Sequence, residues 1–178
     1  MRKPKIHLEK VTDDNVEAIV KLRVSGEQRN FVASNNWSLI DAYLHLAEGK
    51  PVFPFGIYNG KTPVGFIMIR YDNDWTGYER DAWINSDDYR FYKDKNYYYI
   101  WRFMIDKRFQ GRGYGREALK QAVDFIRSFP CGAAGYCVLS YAPTNETAKN
   151  LYFSFGFTEL NGPGYYEADD EISAVMKL

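Results

Sequence analysis

The chain has 178 residues, 46% of them hydrophobic and 26% charged, with 23 basic side chains balanced by 23 acidic ones. That length suits one domain around one core, and a formal charge of zero gives no general attraction for nucleic acid or an anionic membrane, so neither is expected as a partner. No run approaches the roughly 20 apolar residues that span a bilayer, and the basic Met1–Lys5 start leads into Ile6-His7-Leu8-Glu9-Lys10, which is no signal-peptide core; a cytoplasmic protein is expected.

Ile6–Val11 alternates loosely, as a strand does. Thr12-Asp13-Asp14-Asn15 offers an N-cap with acids in the first turn, and Val16, Ile19, Val20 and Arg23 carry the helix to about Ser25. Gly26–Asn36 is a polar connection. Ser38-Leu39-Ile40-Asp41 resembles a capping box, and Leu39, Ala42, Tyr43, Leu46 and Ala47 make the apolar face of a second helix that stops at Gly49. Val52–Tyr58 and Val64–Tyr71 are antiparallel strands joined at Asn59-Gly60. Residues 72–96 are polar, acidic and aromatic without a period, and Tyr97–Ile105 is a long apolar strand.

A glycine-rich turn, Arg108 to Arg116, leads into a helix over Arg116–Phe129 whose inner face is Ala118, Leu119, Ala122, Val123 and Ile126. Tyr136–Tyr141 is a strand. Pro143-Thr144-Asn145-Glu146 opens a helix with Thr144 as its cap, Ala148, Leu151, Tyr152 and Phe155 facing inward, and Gly156 ending it. Phe157–Leu160 and Ile172–Leu178 complete the sheet. The predicted order is β-α-α-β-β-β-α-β-α-β-β, an α+β fold with a mixed central sheet covered by helices, in a single domain over residues 1–178.

Cys131 and Cys137 have the spacing of neither a redox pair nor a zinc site, and His7 and His45 have no ligand-like neighbours, so free thiols and no metal are expected. Aromatic residues make up 17% of the chain, more than a core of this size needs, so some should line a surface or pocket.

The turn carries the chemistry. A strand running through glycines into a helix gathers backbone N–H groups around one point, and the helix dipole adds roughly half a positive charge there. Glycines permit positive φ and close approach of the backbone to a phosphate. Arg108, Arg112 and Arg116 add charge. A P-loop would need a Gly-Lys-Ser/Thr ending, which is missing. A dinucleotide fingerprint needs G-x-G-x-x-G early in a parallel sheet, whereas Gly111, Gly113 and Gly115 are spaced G-x-G-x-G late in the chain. On spacing alone, a loop that merely connects strand to helix stays open.

Gln110-Gly111-Arg112-Gly113-Tyr114-Gly115 resembles the Q/R-x-x-G-x-G/A signature of the GNAT superfamily of N-acetyltransferases, whose sheet is mostly antiparallel. Trp101–Asp106 precedes it like that family's fourth strand, and Asn145, Tyr152 and Ser154-Phe155-Gly156-Phe157 resemble its later helix. The resemblance implies acetyl-coenzyme A as cosubstrate and a small-molecule amine as acceptor. It implies that the backbone of Phe103, Met104 and Ile105 binds the pantetheine arm by strand addition. The turn amides of Gln110, Gly111, Arg112, Gly113, Tyr114, Gly115 and Arg116 would hold the pyrophosphate, Asn145 the pantetheine amide, and Lys149 a phosphate. Read without the family, Asn145 is equally a helix cap and Lys149 a solvated lysine. A homodimer is compatible with the resemblance, though no interface can be read from the residues.

Tyr152 would be the general acid. A thiol pKa of about 8.5 makes expelling thiolate at pH 7 cost about 2 kcal/mol relative to thiol, and a hydroxyl beside the sulfur offsets this. From periodicity alone, Tyr152 equally fills the stripe with Ala148, Leu151 and Phe155. The amine is harder: with a pKa near 10.4, only about one molecule in 2,500 is neutral at pH 7, a cost of about 4.6 kcal/mol. The family often places a carboxylate on its fourth strand, but Tyr97-Tyr98-Tyr99-Ile100-Trp101 has none. The base is left among Glu27, Asp72, Glu79, Asp81 and a water chain over the tyrosines.

Within the superfamily, Ser25–Asn35 resembles the segment that helps build the acceptor pocket in bacterial spermine/spermidine acetyltransferases, which implies polyamine contacts from Glu27, Gln28 and Asn35. Residues 72–96, Glu79 among them, hold seven acids against four bases with interleaved aromatics, a composition suited to ammonium groups, though it also suits a solvated excursion. Glu167, Asp169, Asp170 and Glu171 read as a turn. Other acceptors (an aminoglycoside, an amino acid, a protein N-terminus) and an acetyl-coenzyme A-binding module without turnover are the alternatives.

Overall fold

The computed structural model describes residues 5–72, 96–160 and 171–178. The chain divides into two compact units, Met1–Arg70 with Trp101–Pro130, and Tyr71–Ile100 with Cys131–Leu178. The first holds β1 (Ile6–Lys10), α1 (Asp13–Val20), a 3-10 turn (Gly26–Gln28), α2 (Asn35–Ala47), β2 (Val52–Asn59), most of β3 (Thr62–Asp72) and α3 (Tyr114–Arg127). β4 (Tyr97–Ile105) passes from the second unit into the first after Ile100. The second unit holds β5 (Tyr136–Tyr141), α4 (Glu146–Phe153), β6 (Thr158–Glu159) and β7 (Ile172–Lys177). This is the expected α+β order, and the seven strands run β1-β2-β3-β4-β5-β7-β6. β1 with β2, β2 with β3, β5 with β7 and β6 with β7 pair antiparallel, and β4 runs parallel to β5 from Tyr97↔Tyr136 to Ile100↔Leu139. Among the described residues no helix is long and apolar enough to cross a membrane.

The core of the first unit packs Ile19, Leu22, Ala42, Val52, Tyr58, Phe66, Met68 and Met104 together. α1 buries Ile19 there and stops at Val20, short of the expected Ser25. Tertiary bonds outcompete further helical ones: the Arg23 N–H donates to Asp106 (2.9 Å), the Arg23 carbonyl accepts from Lys107 (2.9 Å), and Asn35 Nδ2 donates to the Ile19 carbonyl (2.8 Å).

α2 also departs from expectation. Ser34, not Ser38, caps it, its hydroxyl accepting from the Trp37 N–H at 3.3 Å. The helix begins earlier and turns the small side chains Asn35, Ser38 and Ala42 inward, with Leu39 partly buried. Tyr43 (70% exposed) and Leu46 (52%), expected inside, join Trp37, Ile40 and Leu44 on the outside. Small residues bring the helix axis close to the core and leave the bulky ones no room beneath it.

Candidate active site

β4 ends at Ile105, and the chain turns through Phe109, whose N–H donates to the Asp106 carbonyl (2.8 Å). Gly111 and Gly113 have φ of +73° and +78°, the left-handed region that only glycine enters freely. A Cβ at either would meet nothing within 4 Å, so the space beside both glycines is open. α3 opens at Tyr114 with Gly113 as N-cap and no side-chain cap. Its first-turn N–H groups have no acceptor inside the helix and point toward the turn. Such an end of a helix can accept an anion.

Asp106 is the anchor of this turn, and nothing in the sequence pattern singles it out beyond its place two residues before Arg108. It is 2% exposed, yet it accepts four hydrogen bonds: from the N–H groups of Arg23 (2.9 Å) and Arg108 (3.0 Å), and from Arg108 Nε (2.8 Å) and Nη2 (3.2 Å). Burial pushes its carboxyl upward, but the Arg108 side chain, the two backbone N–H groups and the Arg108 charge outweigh burial and hold it below the ordinary carboxylate range. Arg108 is therefore paired with Asp106 rather than presenting its charge to a phosphate. Arg112 donates to the Arg108 carbonyl (3.0 Å) and lies over the Phe109 ring, as Arg108 does.

Gln110 holds the turn through its side chain, with Nε2 donating to the Ile105 carbonyl (2.8 Å) and to Gln28 Oε1 (2.8 Å). Gln28, expected at the acceptor, here ties the segment after α1 to the turn. Tyr114 accepts from Asn59 Nδ2 (3.0 Å), which fixes the start of α3 to the β2–β3 hairpin.

The end of β4 shows which of its backbone groups can serve strand addition. The Asp106 N–H donates to the Val64 carbonyl of β3 (2.8 Å), and the Met104 carbonyl lies against Gly65 so closely that a Cβ there would collide with it. Backbone groups alternate sides along a strand. Met104 thus turns its backbone to β3 and its side chain to the core, and Phe103 and Ile105 turn their backbone groups to the opposite edge. The Ile105 carbonyl on that edge already accepts from Gln110.

In the second unit, Asn145 rather than Thr144 caps α4, its Oδ1 accepting from the Ala148 N–H (3.2 Å). Lys149 does not extend a free charge: its ammonium meets Glu159 (3.0 Å) and lies over Phe153. Glu159 also accepts from the Tyr141 hydroxyl (2.6 Å). Tyr152 is buried, its ring beside those of Tyr141 (5.9 Å) and Phe157 (6.0 Å). Its hydroxyl makes no hydrogen bond among the described residues. Burial first, and then the nearby Tyr99 and Glu171, drive its pKa above the ordinary tyrosine range, so it stays protonated.

Of the expected acceptor residues, Glu27 is exposed in the 3-10 turn, whereas Asn35 is buried on Ile19, a structural task that its polar surroundings in sequence do not reveal. Glu79 lies outside the described residues. Ser140 and Glu171 join Tyr99 beside Tyr152, and neither stands out in sequence because the serine sits inside an apolar strand and the glutamate among acids that read as a turn. Among the described residues no three His, Cys, Asp or Glu side chains gather as a metal set.

Residues 16–157 match the acetyltransferase (GNAT) family. The spermine/spermidine N(1)-acetyltransferase of Bacillus subtilis strain 168 is 32% identical over 162 residues, which cover 88% of this chain and 90% of that protein. Two solved structures share the fold. The spermidine N-acetyltransferase of Vibrio cholerae, in complex with CoA and spermine, gives a TM-score of 0.63 at 16% identity, over 97% of this chain and 95% of that one. The PaiA N-acetyltransferase of Thermoplasma acidophilum, in complex with coenzyme A, gives 0.61 at 12% identity, over 98% and 99%. The open glycine turn, the order of elements and these matches agree: the chain belongs to the GNAT family of acetyltransferases.

Proposed function

We propose that this enzyme acetylates a primary amine of a polyamine such as spermidine or spermine, with acetyl-coenzyme A as donor. The observation that carries the transfer is Tyr152, a buried residue on α4 whose hydroxyl carries its proton at neutral pH, as tyrosines do, and makes no hydrogen bond among the described residues. In acyl transfer the amine nitrogen bonds to the acetyl carbon, the carbon–sulfur bond breaks, and the departing thiolate takes a proton from Tyr152. The amides from Gln110 to Arg116 hold the pyrophosphate. Phe103 and Ile105 pair with the pantetheine arm, and Asn145, with Oδ1 engaged in the cap, offers Nδ2 to a pantetheine carbonyl.

The polyamine reading draws on the name of the Bacillus relative, on the spermine in the Vibrio structure, and on the acid-rich, aromatic composition of residues 72–96. With Gln28 and Asn35 engaged in structural bonds, recognition of the acceptor falls to Glu27 and Glu79. The test is purified protein with acetyl-coenzyme A and a panel of spermidine, spermine, an aminoglycoside, an amino acid and a peptide N-terminus, with thiol release followed in time. Spermidine or spermine should turn over at least about ten times faster than the others. Faster turnover of another amine reassigns the acceptor, and coenzyme A binding without release from any amine identifies a non-catalytic binding module.

A further inference from the structure

In the second unit three side chains from three separate segments form one chain of hydrogen bonds. The Tyr99 hydroxyl on β4 lies 2.7 Å from Ser140 Oγ on β5, and Ser140 Oγ bonds the carboxylate of Glu171, the residue before β7. The direction of this chain follows from the groups themselves. A carboxylate only accepts, and a serine hydroxyl has one proton to give. Ser140 therefore donates to Glu171, and Tyr99 must donate to Ser140. Toward any further group the Tyr99 oxygen is then an acceptor, the polarity that an ammonium N–H requires.

Tyr99 sits on β4, the strand that carries no carboxylate of its own, and the chain connects that strand to one. We propose that Tyr99, Ser140 and Glu171 form the path by which the acceptor ammonium loses its proton, with Tyr99 touching the amine and Ser140 and Glu171 acting through it. This inference rests on the N-acetyltransferase reading above. The ammonium proton moves to the Tyr99 oxygen as the phenol proton moves to Ser140 and the serine proton moves to Glu171. The net change is one proton from nitrogen to carboxylate. The freed nitrogen lone pair forms the bond to the acetyl carbon and the carbon–sulfur bond breaks. Tyr152 protonates the sulfur, and the second nitrogen proton, released as the adduct collapses, restores Tyr152. Glu171 returns its proton to solvent.

The surrounding charges suit this division of labour. Tyr152 on α4 stands within electrostatic reach of both Tyr99 and Glu171, and Tyr141 on β5 stands close to Tyr152. The Glu159 carboxylate and the Lys149 ammonium nearby pair with each other, and Glu146 lies at the start of α4. The phenol of Tyr152 and the hydrogen-bonded chain from Tyr99 to Glu171 are thus two separate groups in one neighbourhood.

The experiment compares the intact protein with Glu171→Gln, Glu171→Asp, Ser140→Ala and Tyr99→Phe, using acetyl-coenzyme A and spermidine from pH 6.5 to 9.5, with acetyl-coenzyme A affinity measured separately. At pH 7 the Gln and Phe variants should lose at least about 100-fold in kcat/KM. The loss should shrink as pH approaches the amine pKa of about 10.4, because free amine then needs no base. Glu171→Asp should recover part of the rate, Ser140→Ala should behave like Glu171→Gln, and acetyl-coenzyme A affinity should stay within about twofold. A loss that is equal at every pH, or Glu171→Gln activity within about threefold of an active wild type, overturns the relay and leaves the acetyltransferase reading intact. A wild type that releases no thiol with any amine overturns both.

Discussion

Replacing Asp106 by Asn tests how the glycine turn is held. The carboxylate is nearly water-free and receives four donors, two on each oxygen. Asparagine keeps one acceptor oxygen and places an NH2 group against the other pair of donors. Whichever way the amide turns, one backbone N–H, that of Arg23 or of Arg108, is left facing another donor. A buried N–H stranded in this way costs about 1–3 kcal/mol, and the charge-assisted strength of the remaining bonds is lost as well, so a destabilisation of about 3 kcal/mol is expected. Arg108→Ala should have a smaller effect, because Asp106 then keeps both backbone donors and the removed guanidinium is largely exposed. Urea unfolding at pH 7 measures both. The pH dependence gives a second check. Because the folded-state carboxyl titrates below its ordinary value of about 3.9, its contribution is present above that pH and disappears as pH falls through the lower folded value. The gap between wild type and Asp106→Asn should therefore close in acid. A variant within about 0.5 kcal/mol of wild type at pH 7, or an Arg108→Ala effect larger than that of Asp106→Asn, refutes the assignment of Asp106 as the anchor.

Two further substitutions separate packing from binding. Gly65→Ala drives a Cβ into the Met104 carbonyl oxygen and to 2.9 Å from Ile105 Cδ1, so β3 and β4 must part. A loss of about 3 kcal/mol and about 10 °C in Tm is expected by calorimetry, and an unchanged Tm contradicts this close approach of Gly65 to Met104. Gly113→Val forces a β-branched residue to φ +78° with no steric neighbour, so the fold should survive with a loss of about 2 kcal/mol. The branched side chain then crowds the backbone of the turn, and coenzyme A affinity by titration calorimetry should fall at least about 30-fold; unchanged affinity sinks the diphosphate site.

The parts of this protein that were legible in its residues are those governed by local rules. Gly111 and Gly113 permit the positive φ that a tight turn uses, and Gly156 follows α4 for the same reason (φ +92°). The α3 face of Ala118, Leu119, Ala122, Val123 and Ile126 is buried as its single apolar arc required. α2 was harder because apolar residues occupy more than one arc of it. Periodicity does not say which arc is inward, and the small residues at 35, 38 and 42 decided it. The bonds that hold the turn join residues far apart in the chain: Gln28 with Gln110 and Arg23 with Asp106. No pattern of neighbours encodes these. The family resemblance implies a phosphate contact for Lys149, and the fold also brings a carboxylate to it, as it does to Arg108.

The central claim is that Tyr152 gives its proton to the departing thiolate. Tyr152→Phe removes one oxygen from a buried ring that has no hydrogen-bond partner among the described residues, so packing and acetyl-coenzyme A binding are preserved. Steady-state turnover with the preferred amine, together with an acetyl-coenzyme A titration of the same preparation, decides it. The expected result is a kcat lowered about 100-fold or more with Kd within about twofold of wild type. A kcat near that of wild type, or a loss of rate matched by a loss of affinity and a lower Tm, contradicts it and makes Tyr152 a core residue.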